Sequence, residues 1–255
     1  QNQARLQKTT GQFIQIKNYL TYNGQIGKHG FSAMVGQECW ESKWDYVSVY
    51  NTDLPANSIQ NPSLGTGEAQ IGSGFGSAAM SSFFTRETYN FDDRYLLTYT
   101  FRRDGSSNFG PDMRWGSFHS FAGAWRFSNE AFIKKFAEKW LSNGELRIGW
   151  GQTGNSNIGG GKWASDLSVM ESGLGTSQRP ARIANSEIHW EKQEQTNIGL
   201  DLGFFDNKIN ITVDWYKKIS DDMLMPMQLP SYMGTSGNGS SALAAPWGNY
   251  GKIDS

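Results

Sequence analysis

Apolar and polar positions alternate along residues 95–102. Tyr95, Leu97, Tyr99 and Phe101 fall on one side of an extended chain, and Leu96, Thr98, Thr100 and Arg102 on the other. A period of two is that of a β-strand with one apolar and one largely polar face. The polar run Asp104-Gly105-Ser106-Ser107-Asn108 and then Gly110-Pro111 interrupt the pattern. These are turn-forming residues, and the chain re-enters a strand through Arg114-Trp115-Gly116.

The same plan repeats through the chain. A first strand is expected over 13–22, closed by Asn23-Gly24, a strong hairpin signal. Its partner runs over 28–40 with Phe31, Ala33 and Val35 on one face. An irregular stretch over 41–77 follows. A third strand over 78–91 is turned by Asp92-Asp93 into the fourth, which begins at Arg94. A fifth covers 118–127, where Phe121, Trp125 and Phe127 share a face. Ser128 reads as the N-cap of one short amphipathic helix to about Leu141, with Glu130 in its first turn. The sixth strand covers 145–151, the seventh ends over 197–204 and the eighth covers 209–216, with Asp206-Asn207 between the last two. Residues 249–255 look like the start of another strand.

The connections sort by length. Those at 23–24, 92–93, 128–144 and 206–207 are mostly tight, whereas those at 41–77, 104–116, 152–189 and 220–248 are long. In an up-and-down meander, alternate connections lie at opposite ends. Tight turns at one end and long loops at the other characterise transmembrane barrels, with the turns periplasmic and the loops extracellular. Strands of about ten residues, tilted near 40°, span an apolar band of about 25 Å. A secreted, soluble β-sandwich that binds carbohydrate would also alternate; its strands run to about five or six residues. The positions opposite the aromatic faces, including Thr98, Ser120, Ala122, Gly199 and Gly203, are mostly small, which suits the wall of a wide lumen. Tyr95, Trp125 and Trp215 read as interface-belt aromatics.

Composition changes this picture little. The 255 residues include ten Trp, ten Tyr, fifteen Phe and thirty Gly, a mixture suited to strands, turns and polar loops. A net charge of −1 gives no sign of a nucleic-acid partner. The single cysteine, Cys39, can form no internal disulfide. No run of about eighteen apolar residues is present, and a barrel needs none, because its strands are apolar only at alternate positions. With no initiating Met and no leader at Gln1, the chain reads as an internal piece of a longer protein.

Several stretches, in order, resemble the SusC/RagA-type TonB-dependent outer-membrane transporters. They are RRDGSSNFGPDMRWG (102–116), SFAGAWRF (120–127), LRIGWGQTGN (146–155), WEKQEQTNIGLD (190–201) and VDWYKKISDDM (213–223). Arg103, Asp104, Gly105, Ser106, Ser107, Phe109, Gly110, Arg114, Trp115 and Gly116 carry the first and most specific of them. The resemblance implies an all-β chain, eight to nine antiparallel strands of a twenty-two-stranded transmembrane barrel in a Gram-negative outer membrane, with the short helix on the periplasmic side. On this view residues 1–255 are all barrel, without the family's plug. It also implies a SusD-like surface lipoprotein as partner, the TonB complex as energy source acting through parts outside this chain, outer-membrane lipid around the wall, and an oligosaccharide as ligand. A RagA-like importer of peptides is the alternative within the family.

Catalytic chemistry is not expected. Gly159-Gly160-Gly161-Lys162 lacks the Ser or Thr of a phosphate loop, since Trp163 follows. His29, His119 and His189 lack metal-ligand spacing, and no nucleophile elbow appears. No cofactor or metal is therefore assigned. Asp92-Asp93 and Asp221-Asp222 read as turn or strand-end acids. Asp104-Gly105-Ser106 reads as a loop-ordering turn, with a cation-holding role as the alternative. Trp40, Trp44, Trp163, Trp190, Tyr232 and Trp247 are expected in loops. There they either stack on a sugar or other ligand, or anchor the loops by packing.

Overall fold

The computed structural model describes residues 2–56, 58–137, 139–172, 175–230, 232 and 243–255. Its strands are β1 (Gln3–Ile26), β2 (His29–Thr52), β3 (Gln70–Phe91), β4 (Tyr95–Ser106), β5 (Trp115–Trp125), β6 (Leu141–Asn155), β7 (Asp166–Ser172), β8 (Gly175–Arg182), β9 (Glu191–Phe204), β10 (Ile209–Asp221), β11 (Leu224–Pro226), β12 (Trp247–Asn249) and β13 (Ile253–Asp254), with one helix, α1 (Ala131–Ala137). Nine strands form one sheet in the order β1-β2-β3-β4-β5-β6-β9-β10-β13; β7-β8 and β11-β12 are separate ribbons. The eight expected strands and a ninth are thus present, each beside its sequence neighbour in the sheet. No helix is long and apolar enough to cross a membrane, which says nothing of strands.

The chain divides into two compact units. Unit 1 holds Gln1–Ile16 and Cys39–Met80; unit 2 holds Lys17–Glu38 and Ser81–Ser255. Unit 1 corrects the expectation of an irregular stretch over 41–77, because β2 continues to Thr52 and β3 starts at Gln70. Only 53–69 is loop. The polar and small residues of this region form strand because large rings cover the glycines opposite them. A Cβ on Gly76 would lie 2.6 Å from the Trp44 ring, and one on Gly74 2.6 Å from the Tyr46 ring. Such aromatic cover offsets the weak strand propensity of glycine. Asn51, 5 % exposed, closes the loop by donating to the carbonyls of Pro62 and Gly65. At about 3.3 Å per residue, a strand of 24 residues far exceeds what a bilayer requires.

In unit 2, register fixes the two faces. Leu97, Gly123, Ile148, Ile198 and Trp215 align across five strands, as do Tyr95, Trp125, Leu146, Leu200 and Val213. The alternate rows are Leu96, Ala124, Arg147, Gly199, Asp214 and Thr98, Ala122, Gly149, Asn197, Tyr216. No second layer covers the apolar face among the described residues: Leu97, Ile148 and Val213 remain 57–60 % exposed. A sandwich would bury this face, so the sandwich alternative does not describe this sheet. The main buried aromatic and aliphatic cluster lies at the loop end: Phe109, Ile158, Ile188 and Trp190 with Phe118 of β5, while Phe84 on β3 and Ala137 in α1 are buried elsewhere.

Two local expectations are corrected. Asn23-Gly24 lies inside β1, and the turn falls at Gly27-Lys28, where Gly27 has φ +58°. Gly24 is needed for space instead, since a Cβ there would sit 2.3 Å from the Phe31 ring. The helix is shorter than expected. A 3₁₀ turn, Phe127–Asn129, precedes it, and the Glu130 carbonyl accepts from Lys134 N at 2.9 Å, so Ser128 is not its cap. Leu141 already belongs to β6. The Asp92-Asp93 turn is as expected, both residues having φ +52°.

Candidate functional site

The polar face of unit 2 carries an ion-pair network. Arg147 on β6 donates through Nε to Asp201 Oδ2 at 2.5 Å and through Nη2 to Asp214 Oδ1 at 3.0 Å. Thr212 Oγ1 donates to Asp201 Oδ1 at 2.9 Å. Asp214 lies two strands away from Arg147, and the guanidinium reaches it by passing over Gly199, where a Cβ would be 2.7 Å from Arg147 Nη2. One row further from the tight turns, Asn197 lies opposite Tyr216, whose ring is 63 % exposed, and accepts from Gln195 Nε2 at 2.8 Å. On β3, the Phe84 ring has Lys17 Nζ at 5.6 Å and the Arg102 guanidinium at 5.8 Å. The periodicity sets Arg147, Asp201 and Asp214 on the polar faces of their strands, but only the register brings them together.

At the tight turns, Glu130 is a hub. It accepts from Tyr95 Oη at 2.6 Å, Arg94 Nη1 at 2.9 Å and Trp125 Nε1 at 3.2 Å. Arg94 also donates to Asp92 Oδ2, which Lys28 reaches at 2.8 Å. The Tyr95 hydrogen bond, with those of Trp125 and Arg94, holds the Glu130 carboxyl below its ordinary range against the opposing effect of burial. Asp92 is likewise lowered, chiefly by the Lys28 hydrogen bond, and Arg94 is raised, chiefly by its bond to Glu130.

At the opposite end, the loop motif folds onto Trp190. The Trp190 Nε1 donates to Arg114 O at 3.0 Å, and its ring packs against Phe109 at 5.4 Å and Phe118 at 5.5 Å. Ser106 N donates to Arg114 O, Ser106 Oγ accepts from Asn108 N, and Asn108 Nδ2 donates to Ser156 O. Arg103 covers the ring of Trp115, which in turn lies over Gly105. Gly110 abuts Trp163, and Gly116 abuts Trp190. The Asp104 carboxylate is taken by Arg102 Nε at 2.8 Å. No group of metal-ligating side chains occurs among the described residues.

A model of the TonB dependent receptor-like β-barrel matches residues 1–255. The chain belongs to the TonB-dependent receptor β-barrel family. Among its relatives, TonB-dependent receptor P3 of Formosa agariphila is 31 % identical over 233 residues, 86 % of this chain. TonB-dependent receptor SusC of Bacteroides thetaiotaomicron is 37 % identical over 166 residues, 62 % of this chain. The solved RagAB peptide transporter superposes with a TM-score of 0.86 over 98 % of this chain at 27 % identity. This barrel segment spans 22 % of the P3 receptor, 16 % of SusC and 27 % of the matched RagAB chain.

The six aromatics proposed as ligand contacts divide in this family frame. Trp40 and Trp44 are not in a loop but on β2 in unit 1, where Trp40 meets Phe13 at 6.0 Å and Trp44 stacks on Tyr46 at 6.1 Å. Trp163 and Trp247 come together in the loops of unit 2. Asn185 N donates to the Trp163 carbonyl, and its Nδ2 donates to that of Trp247, now in β12. Lys162 Nζ lies 5.6 Å from the Trp247 ring. Trp190, 4 % exposed, packs the loops and presents no face to a ligand. Tyr232 is 86 % exposed.

Proposed function

We propose that the full-length protein is a SusC/RagA-type transporter in a Gram-negative outer membrane that imports oligosaccharides together with a SusD-like surface lipoprotein. The TonB complex would supply energy through parts of the protein outside this segment. The supporting observation is the two-faced sheet of unit 2: an uncovered apolar face suits contact with lipid, and a polar face with a bridged Arg147–Asp201–Asp214 network suits contact with water. A cation among carboxylates and amides, with small residues between, leaves a hydrated wall past which a polar solute can move. No bond is made or broken.

Oligosaccharide specificity rests on the exposed aromatics. Tyr216 and Tyr232 offer ring faces, and Asn197 and Gln195 offer amides, groups that suit a sugar's apolar face and hydroxyls. A peptide cargo is the second reading, favoured by the likeness to a structure described as a peptide transporter. Binding of neutral oligosaccharides and of short peptides to the purified transporter–lipoprotein pair, measured by calorimetry, tests the choice. Saturable binding of oligosaccharides alone is expected; binding of peptides alone would reverse it.

A further inference from the structure

The apolar face of unit 2 is not uniform. A groove of about 690 Å³ runs across β2, β3, β4, β5 and β6. Ala33 and Gly123 form its floor, and Phe31, Leu97, Phe121 and Trp150 stand around it. The volume falls within the roughly 300–1,000 Å³ of ordinary ligand sites. Its floor exists because Gly123 is a glycine in an otherwise large-residue row, between Leu97 and Ile148. The groove is continuous with the face assigned above to lipid, and it rests on that assignment.

We propose that this groove seats an acyl chain of a phospholipid from the periplasmic leaflet, with the phosphate held at Lys28. Charge sets the orientation. The charged side chain lining the groove is Glu87, five residues back along β3 from the turn at Asp92, so no cation within the groove itself can take a phosphate. Phe31 and Leu97 line the end nearer the tight turns, each three residues, or about 10 Å, from Lys28 or Arg94. Lys28 is 64 % exposed, and its ammonium spends one of three donors on Asp92 at 2.8 Å. Two donors remain for a headgroup. Tight turns lie on the periplasmic side of such barrels, so the lipid comes from that leaflet and not from the glycolipid leaflet at the loops.

Gly123→Leu tests the site without straining the backbone, because the atoms nearest a Cβ there are Leu97 Cδ2 at 3.5 Å, Ile148 Cγ2 at 3.6 Å and Leu96 O at 3.9 Å, all at ordinary contact distance. The full-length protein would be purified from membranes in mild detergent, and the lipid it retains identified and counted by native mass spectrometry. Val213→Leu, on the same face outside the groove, is the control. Wild type and control should retain at least one phospholipid; Gly123→Leu should lose it several-fold, and Lys28→Gln should lose a smaller share. Heat-modifiable gel mobility reports that each variant is a closed barrel, and Ala33→Leu carries the same test should Gly123→Leu fail to fold. Equal retention by the folded groove variants, or retention of lipopolysaccharide instead of phospholipid, would overturn the site and leave the transporter reading standing. Recovery of wild type without detergent, and without heat-modifiable mobility, would instead remove the membrane reading on which the site depends.

Discussion

The two ends of unit 2 are held by opposite means. At the tight turns, Glu130 gathers Tyr95, Arg94 and Trp125 by hydrogen bonds, and Asp92 gathers Lys28 and Arg94. At the loops, Phe109 and Ile188 are fully buried, and Phe109 and Phe118 pack on Trp190. The two-residue turn at Asp92-Asp93 has too little apolar surface to make a core, so directional polar contacts fix it, several of them from Glu130 at the start of the 128–144 connection. Long loops carry enough apolar surface to bury a core of their own, and their backbone polar groups must then be satisfied inside it. That requirement explains the loop motif, whose serine, asparagine and backbone groups bond one another around the aromatic centre.

The largest break in this comparison is expected from Trp190→Ala. Truncating a buried aromatic of this kind costs about 3–5 kcal/mol, and the Arg114 carbonyl also loses one of its two donors, keeping Ser106 N. Thermal unfolding of the full-length protein should fall markedly, and limited proteolysis should cut within 104–116 while sparing the tight turns. Cleavage at the turns first would contradict the division.

Glu130→Gln should have the next largest effect and should act through pH. Glu130 and Asp92 are held below the ordinary carboxylate range. They therefore stabilise the fold fully above the unfolded-state value, and that stability is lost as pH falls through the lowered folded value. Arg94, being raised, contributes across the neutral range and loses its contribution only in strong alkali. Melting curves between pH 3 and 8 should show wild type losing stability on the acid side and Glu130→Gln losing less over the same interval. Parallel curves would contradict the hub.

Gly199→Ala sharpens the comparison on the polar face. The added methyl meets the far end of the flexible Arg147 side chain and the Asp214 carboxylate. It should separate Arg147 from Asp214 and leave Arg147–Asp201 intact. The pair given up is exposed, so the change in stability should be about 1 kcal/mol or less. A shift as large as that of Trp190→Ala would show that Gly199 has another role. The smallest effect on stability is expected from Tyr232→Ala, within about 0.5 kcal/mol for an exposed site, with oligosaccharide affinity reduced where the ring serves as a ligand platform.

Much of this was legible in the sequence because alternation is a direct image of a two-faced strand. Tyr95 to Arg102 and Ile209 to Tyr216 needed nothing more. The misreadings share one cause, in that a residue served a neighbour across the sheet and not its own local backbone. Asn23-Gly24 has turn composition, yet Gly24 makes room for Phe31 from the next strand. Residues 41–52 and 70–77 lack apolar alternation, and their pairing relies on rings over glycines. Glu130 sits where a helix start was visible, but its three partners come from outside the helix. Arg147, Asp201 and Asp214 could be placed on one face from the period, and only the register makes them a cluster.

The central claim is that the Leu97–Ile148–Val213 face meets lipid and the Asn197–Tyr216 face meets water. Single cysteines at these five positions, in a full-length background with Cys39 and every other native cysteine replaced by serine, would be reacted with a membrane-impermeant maleimide in intact outer membranes. The account predicts labelling at 197 and 216, and protection at 97, 148 and 213 that is lost on unfolding. Equal labelling of both sets, or the reverse pattern, would contradict it.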